Sequence, residues 1–216
     1  MNILMEAKVA RLSAKNRRVI TLSKRNIKLG EMLNFSLVAG ASCTCATVLC
    51  SEKCYAKKYG KVFPSTEVAY YKNMSLVLLD ENWMLPIMKA LAKGPEYFRI
   101  HVSGDFFSPK YINEWAMIIR AFPGTKFLAF TRAWRNPRLR KELNNLWKLE
   151  NCQIIASVDG EAFNAPAGWR TASMGEPVKV SGPTIMCPGY GKAELTCDKC
   201  GICFKDLKSS VWFPIH

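Results

Sequence analysis

The chain has 216 residues, of which 49% are hydrophobic and 22% are charged, a composition that excludes disordered and fibrous proteins. It has no apolar run of about 18 residues or more and no secretory signal near its start, so we expect no membrane span and a cytoplasmic location. Lysine and arginine outnumber aspartate and glutamate by 31 to 17, and the resulting net charge of +14 predicts a polyanionic partner, with nucleic acid first.

The basic charge is concentrated near the N-terminus. Between Lys8 and Lys28 there are eight basic residues and no acidic one. Such side chains bind phosphates, although a solvated terminus without function is an equally good interpretation. We define residues 1–30 as the basic arm. Its candidate nucleic-acid contacts are Lys15, Arg17, Arg18, Lys24 and Arg25.

Alternating strands and helices are predicted for residues 31–180. An apolar run over 32–39 predicts the first strand. Apolar residues at helical spacing over 67–91 predict a helix, or two helices separated near Pro86, because proline removes a helical hydrogen bond. The later elements are predicted at 97–102 (strand), 109–121 (helix), 126–130 (strand), 137–149 (helix) and 153–158 (strand).

This order of elements predicts the fold class. Strands that alternate with helices are typical of a parallel sheet with crossover helices. A complete eight-stranded barrel needs about 250 residues, and this chain also contains the basic arm and a cysteine-rich segment, 181–216. We therefore predict an α/β fold, a partial TIM-like barrel of parallel strands with a cysteine-rich C-terminal segment.

Eight of the nine cysteines fall into two groups. The first group is Cys43, Cys45, Cys50 and Cys54, and the second is Cys187, Cys197, Cys200 and Cys203. Closely spaced thiolates wrap the corners of a cubane, which favours two [4Fe–4S] clusters. Zinc stays open as an alternative, although four-thiolate zinc sites usually use two separated cysteine pairs. The ninth, Cys152, lies beside an apolar strand and is predicted to be a buried free thiol.

Other candidate residues follow the predicted strands, because chemistry in such folds collects at the carboxyl ends of parallel strands. Arg132 and Arg135 are candidates for binding a phosphate or carboxylate, with an ordinary basic loop as the alternative. Asp159 either binds a ligand or caps a turn. His101 lies within a strand, and a core role is the more frequent one for such a histidine.

The segments around the cysteines resemble known families. CSEKCYAKKYG (50–60), FRIHVSGDFFSPKYINEW (98–115) and the terminal CP…CDKCGICF…VWFPIH are similar to a family of small phage-encoded proteins known as gene product 88. In addition, a strand that leads into a three-cysteine loop, with later strands ending in Ser-Gly-Asp and Ser-Val-Asp-Gly, resembles a degenerate radical S-adenosylmethionine core.

The second resemblance implies roles for individual residues. The three cluster cysteines would be Cys43, Cys50 and Cys54, with the ring of Tyr55 packed beside the cluster. The motif that helps to bind the amino group of the methionine moiety would be Ser103, Gly104 and Asp105.

Two features depart from the radical family. The cysteines are separated by six and three residues, instead of the usual three and two. Cys45 is a candidate fourth ligand, and a cluster with four cysteines has no open iron for S-adenosylmethionine. We expect Cys45 to be a ligand, because the small residues 40–42 allow a tight loop before it.

Three functions follow as expectations. The first is a protein with two [4Fe–4S] clusters, structural or redox-sensing, whose basic surface engages nucleic acid or a nucleic-acid machine such as a polymerase or ribosomal factor. The second is a radical S-adenosylmethionine-type enzyme with an open-iron first cluster and an auxiliary second cluster. The third is a zinc-stabilised nucleic-acid binder. All are expected in the cytoplasm, that of the host cell for a phage-encoded protein.

Overall fold

A computed structural model describes residues 19–24, 26–175, 177–178, 182–205 and 208–214. Within these residues the strands form one seven-stranded sheet of order β1-β2-β3-β4-β5-β7-β6, and every neighbouring pair is parallel. The predicted parallel α/β architecture is therefore confirmed. The strands are β1 (Leu33–Phe35), β2 (Tyr97–Ile100), β3 (Lys126–Thr131), β4 (Cys152–Val158), β5 (Thr171–Met174), β6 (Thr184–Met186) and β7 (Ser210–Phe213).

The helices lie in the connections between the strands. Prolines begin several of them, since the first turn needs no proline N–H, and Pro86 stands in the first turn of α4 as the predicted helix pair requires. The helices are α1 (Val48–Glu52), α2 (Tyr55–Val62), α3 (Pro64–Leu79), α4 (Leu85–Leu91), α5 (Pro109–Ala121), α6 (Pro137–Trp147) and α7 (Cys197–Cys200), with 3-10 turns at Ala133–Arg135 and Ile202–Phe204. Every helix of the described residues is too short or too polar to cross a membrane.

Different layers cover the two faces of the sheet. On β2, Phe98 and Ile100 belong to a large core that also contains the buried residues of α3 to α6. The alternate residue Tyr97 packs against a smaller core on the other face, which contains Leu128 and Phe204. Helices thus cover one face, and the cysteine-rich C-terminal segment covers part of the other. Cys152 is buried in the large core, as predicted.

The C-terminal segment is also part of the sheet. It supplies β6 and β7, and β7 lies between β5 and β6. β1 and β6 each pair with one strand, so the sheet is open among the described residues. The sequence did not predict these two strands because they are three and four residues long and follow no clear alternation.

The described part of the basic arm packs against this body. Ile20 and Leu29 are buried, one in each core. Ser23 forms an antiparallel bridge with Asn34 in β1. Lys24 is exposed, and the other predicted nucleic-acid contacts, Lys15, Arg17, Arg18 and Arg25, lie outside the described residues.

Candidate functional site

The first cysteine group lies at the carboxyl edge of the sheet, beside the loop that follows β2. The two loops are joined through the main chain, where the N–H of Leu37 donates to the carbonyl of Ser103 at 2.9 Å. The hydroxyl of Ser36 accepts from the N–H groups of Val102 and Ser103 at 3.2 and 3.3 Å. This pairing sets the cysteine loop against the Ser-Gly-Asp motif.

Three cysteines of this group share one electrostatic environment. Burial raises the pKa of the Cys43 thiol to about 12, and Asp105, Cys50 and Cys54 add to the rise. Burial also raises the pKa of Cys50, where Cys54 acts in the same direction and Arg132 opposes. The three thiols are therefore neighbours, and the raised pKa values of Cys43 and Cys50 keep these two protonated until a cation displaces their protons.

Cys45 lies beside the start of α6. Its sulfur lies 3.7 Å from the hydroxyl of Thr44. Its side chain lines an open cavity together with Arg135 and Asn136. The guanidinium of Arg135 donates to the Cys45 carbonyl at 3.0 Å, which holds this part of the loop against the start of α6. The electrostatic link among the thiols joins Cys43, Cys50 and Cys54, and Cys45 as the fourth ligand stays a prediction.

A buried ion pair supports the loop between Cys45 and Cys50. Arg132 Nη1 lies 2.7 Å from Asp159 Oδ2, and the two side chains are 8% and 0% exposed. The contact is an ion pair and does not meet the geometry of a hydrogen bond. Thr47 donates to the same carboxylate oxygen at 2.7 Å and accepts from the Cys50 N–H at 3.1 Å, which caps α1. The ends of β3 and β4 thereby position the cysteine loop.

The motif after β2 is tightly packed. Gly104 has a φ of 85°, and a Cβ there would lie 2.5 Å from Ser42 Oγ and 2.8 Å from Leu37 Cβ. Only glycine is therefore compatible with this contact between the two loops. Ser103 is buried, and its hydroxyl has no hydrogen-bond partner among the described residues.

The Asp105 carboxylate already has three donors. It accepts from the Thr131 hydroxyl at 2.5 Å and from the N–H groups of Arg132 and Phe106 at 2.8 and 2.7 Å. Burial raises the pKa of Asp105 to about 6, while these donors oppose the rise. Asp105 therefore fixes the loop after β2 to the end of β3.

Tyr55 follows the last cysteine of the group. Its ring is 56% exposed, but its hydroxyl points inward and donates to the carbonyl of Val102. Burial of the hydroxyl raises the pKa of Tyr55 to about 12, with Arg99 opposing. The hydrogen bond joins the cysteine loop to the end of β2.

The second cysteine group lies against the smaller core. Cys187 follows β6, and the N–H of Cys197 donates to the carbonyl of Lys28 at 2.8 Å. Burial raises the pKa of Cys203 to about 12 and also raises the pKa of Cys197, with Cys187 adding to both rises. Cys200 adds to the rise at Cys197 as well. The four thiols that the sequence grouped are thus neighbours.

Arg99 lies near Cys197 and Cys203 of the second cysteine group and near Tyr55, which follows the first group. Its guanidinium is 4.1 Å from the ring centre of Phe130, and its Nε donates to the carbonyl of His101 at 3.3 Å. Its charge counteracts the rise in pKa at both Cys197 and Cys203. The sequence interpretation missed this residue. An arginine within an alternating apolar strand is the signal that could have found it, since charged residues are rarely buried there.

His101 has the core environment that its position in a strand favoured. It is 2% exposed, and its Nε2 lies 2.7 Å from the hydroxyl of Tyr111. Burial lowers the pKa of His101 to about 3, and Arg99 adds to this, so the ring is neutral at pH 7. Its φ of 60° turns the chain between β2 and the Ser-Gly-Asp motif.

The donor sets differ from those of a single-ion site. Within the described ranges, no three His, Cys, Asp or Glu side chains are arranged to hold one metal ion. A cubane makes a different demand, because each of its cysteines binds a different iron. The two groups contain three and four partly buried thiols, and thiolate is the ligand type that iron–sulfur clusters take.

Comparison with known proteins gives the family. The model of the family described as gene product 88 matches residues 7–206. The Gene 88 protein of Mycobacterium phage D29 is 30% identical over 197 residues, which are 79% of this chain and 81% of the relative. The Gene 88 protein of Mycobacterium phage L5 is 30% identical over 190 residues, 76% and 78% of the two chains. No solved structure matches the chain. The chain therefore belongs to the gene product 88 family.

Proposed function

We propose that this protein carries two [4Fe–4S] clusters, the first bound by three cysteines and the second by four. The observation that supports it best is the division of the first group. Cys43, Cys50 and Cys54 act on one another at the carboxyl edge, whereas Cys45 lines the open cavity with Arg135. Three thiolates leave one iron of a cubane open to a ligand.

An open iron favours the enzyme among the functions expected from the sequence. The proposed function is a radical S-adenosylmethionine-type enzyme with an auxiliary second cluster. A cluster of this kind supplies the electron for reductive cleavage of S-adenosylmethionine. The Ser103 hydroxyl, buried and without a partner, is the group we assign to the methionine end of the ligand. Asp105 would orient this loop through its bonds to β3.

The scaffold is proposed to be a partial barrel of the radical type. Strands β1 to β5 are adjacent in chain order, and the helices between them pack on one face of the sheet. Both features are typical of barrels, in which helices form a single outer layer. The position of β7 between β5 and β6 is a departure from that pattern.

The first prediction concerns ligand binding to the open iron. We expect S-adenosylmethionine to change the electron paramagnetic resonance spectrum of the anaerobically purified, dithionite-reduced protein, because chelation alters the iron that lacks a cysteine. Adenosine and methionine, added separately, are the controls and should leave the spectrum largely unchanged.

An unchanged spectrum would contradict the proposed radical S-adenosylmethionine-type activity. If two cubanes were nevertheless present, the first cluster would be closed, and a structural or redox-sensing function with a nucleic-acid partner would take its place. A colourless protein that contains zinc would contradict both iron–sulfur functions.

The second prediction concerns Arg99. A positive charge near an iron–sulfur cluster stabilises the reduced form, which carries one more negative charge, so Arg99→Gln should lower the reduction potential of the second cluster. We expect a shift on the order of 50 mV. An electron paramagnetic resonance titration against solution potential measures it.

Lys126→Gln is the matched control for Arg99. It removes the same charge from an exposed position at the start of β3, where water screens it. Equal shifts in the two variants would mean that the net charge of the protein is responsible, and Arg99 would have no special place beside the cluster.

A further inference from the structure

Helix α2 presents a row of exposed aromatic rings beside the first cysteine group. Tyr55, Tyr59 and Phe63 follow Cys54 at intervals of one helical turn and are 56%, 50% and 45% exposed. The rings of Tyr59 and Phe63 are in contact, with centroids 4.7 Å apart. Tyr55 and Tyr59 are four apart and share a helix face, and Phe63, the residue that follows the helix, extends this row through its contact with Tyr59.

Lysines flank these rings. The segment between Lys53 and Glu67 contains no acidic residue. Its lysines are exposed, and none is in an ion pair with another described residue. The helical repeat of about 3.6 residues per turn places Lys58 beside Tyr55, whereas Lys61 lies on the side of the helix opposite Tyr59 and Phe63. The lysines of this segment are Lys53, Lys57, Lys58 and Lys61.

We infer that this surface, the rings of Tyr55, Tyr59 and Phe63 with Lys58, binds single-stranded nucleic acid. Unpaired bases stack on exposed aromatic rings, and lysines neutralise the neighbouring phosphates. A duplex hides the faces of its bases and therefore fits this surface less well. The net charge of +14 favours a polyanion over an ordinary protein partner.

This surface adds nucleic-acid binding to the proposed function and gives that binding a location outside the basic arm. Tyr55 directly follows Cys54 and donates to Val102, which precedes Ser103. A strand stacked on α2 would therefore end beside the first cysteine group. The binding itself depends on rings and lysines alone, so it is measurable whether or not clusters are present.

Fluorescence anisotropy with a short labelled oligonucleotide tests the rings. Single-stranded DNA, RNA of the same sequence and the DNA duplex are compared. The double variant Tyr59→Ala/Phe63→Ala should bind the single strands roughly tenfold or more weakly. Tyr59→Phe keeps the ring and should bind as the unchanged protein does. Tighter binding of RNA or of DNA identifies the natural strand.

The lysines are tested by the salt dependence of the same binding. Lys58→Ala should reduce the slope of log affinity against log salt by about 0.7, the value for one phosphate contact on a single strand. Lys141→Ala, which removes an exposed lysine from α6, should leave the slope unchanged. Polyglutamate should compete weakly, because it has charge but no bases.

Four results would overturn the inference: no binding of single strands by the unchanged protein, undiminished binding by the double alanine variant, equally tight binding of the duplex, or competition by polyglutamate as strong as by unlabelled strand. Iron content and circular dichroism of each variant are measured in parallel. Because the three rings are largely exposed, we expect both to be unchanged. A result against nucleic-acid binding by this surface is then distinguishable from a result against the two clusters.

Discussion

Replacement of Cys50 by alanine is expected to remove the first cluster, whereas replacement of Cys45 should leave it in place. Cys50 shares its environment with Cys43 and Cys54, and its N–H is held by the cap of α1. Cys45 lines a cavity with Arg135. We expect iron to fall from roughly eight to roughly four atoms per chain in Cys50→Ala and to stay near eight in Cys45→Ala.

Iron analysis of anaerobically purified protein, together with the visible absorbance of the clusters, measures this difference. Cys152→Ala is the control, because Cys152 is a free thiol buried in the large core, and its loss should change stability without loss of iron. Cys200→Ala should remove the second cluster and spare the first.

Equal loss of iron in Cys45→Ala and Cys50→Ala would mean that the first cluster has four cysteine ligands. The proposed binding of S-adenosylmethionine at an open iron would then be wrong. The structural or redox-sensing function expected from the sequence would then apply, with a first cluster bound by four cysteines. Cys45 would turn toward the other three thiols on metal binding.

The architecture was predictable where periodicity was strong. The strand predicted at 126–130 and the helix predicted at 109–121 occur as Lys126–Thr131 and Pro109–Ala121. Both have apolar residues at the spacing of their structure, and a proline begins the helix. Helix α1 inside the first cysteine loop was not predicted, because Val48–Glu52 is five residues long and buries no side chain.

The site was predictable by residue type and only partly by geometry. Cysteine spacing identified both thiol groups, but spacing does not predict that Arg135, from a distant part of the chain, holds the Cys45 carbonyl. The sequence also did not predict the ion-pair partner of Arg132. Its ion pair with Asp159 joins the ends of two strands that are neighbours in space and separated by a helix in sequence.

Removal of one partner of the ion pair between Arg132 and Asp159 should destabilise the carboxyl edge strongly. Asp159→Ala leaves the buried guanidinium without its carboxylate and Thr47 without an acceptor. Breaking a buried pair in this way costs about 3–5 kcal/mol of unfolding free energy. For a chain of this size, we expect the midpoint of thermal unfolding to fall by roughly 10 °C.

Circular dichroism of metal-free protein measures the effect of the substitution on folding separately from any loss of clusters. Glu161→Ala is the control, since Glu161 has the same charge, is exposed and accepts two N–H groups at the start of α1. Loss of that capping contact should cost about 1 kcal/mol. The double variant Arg132→Met/Asp159→Leu should recover the part of the loss that comes from the uncompensated guanidinium, because apolar side chains need no counter-charge, and should keep the part that comes from the lost acceptor of Thr47. If Asp159→Ala were no less stable than Glu161→Ala, water or another group would be compensating Arg132, and the pair would not hold the cysteine loop in place.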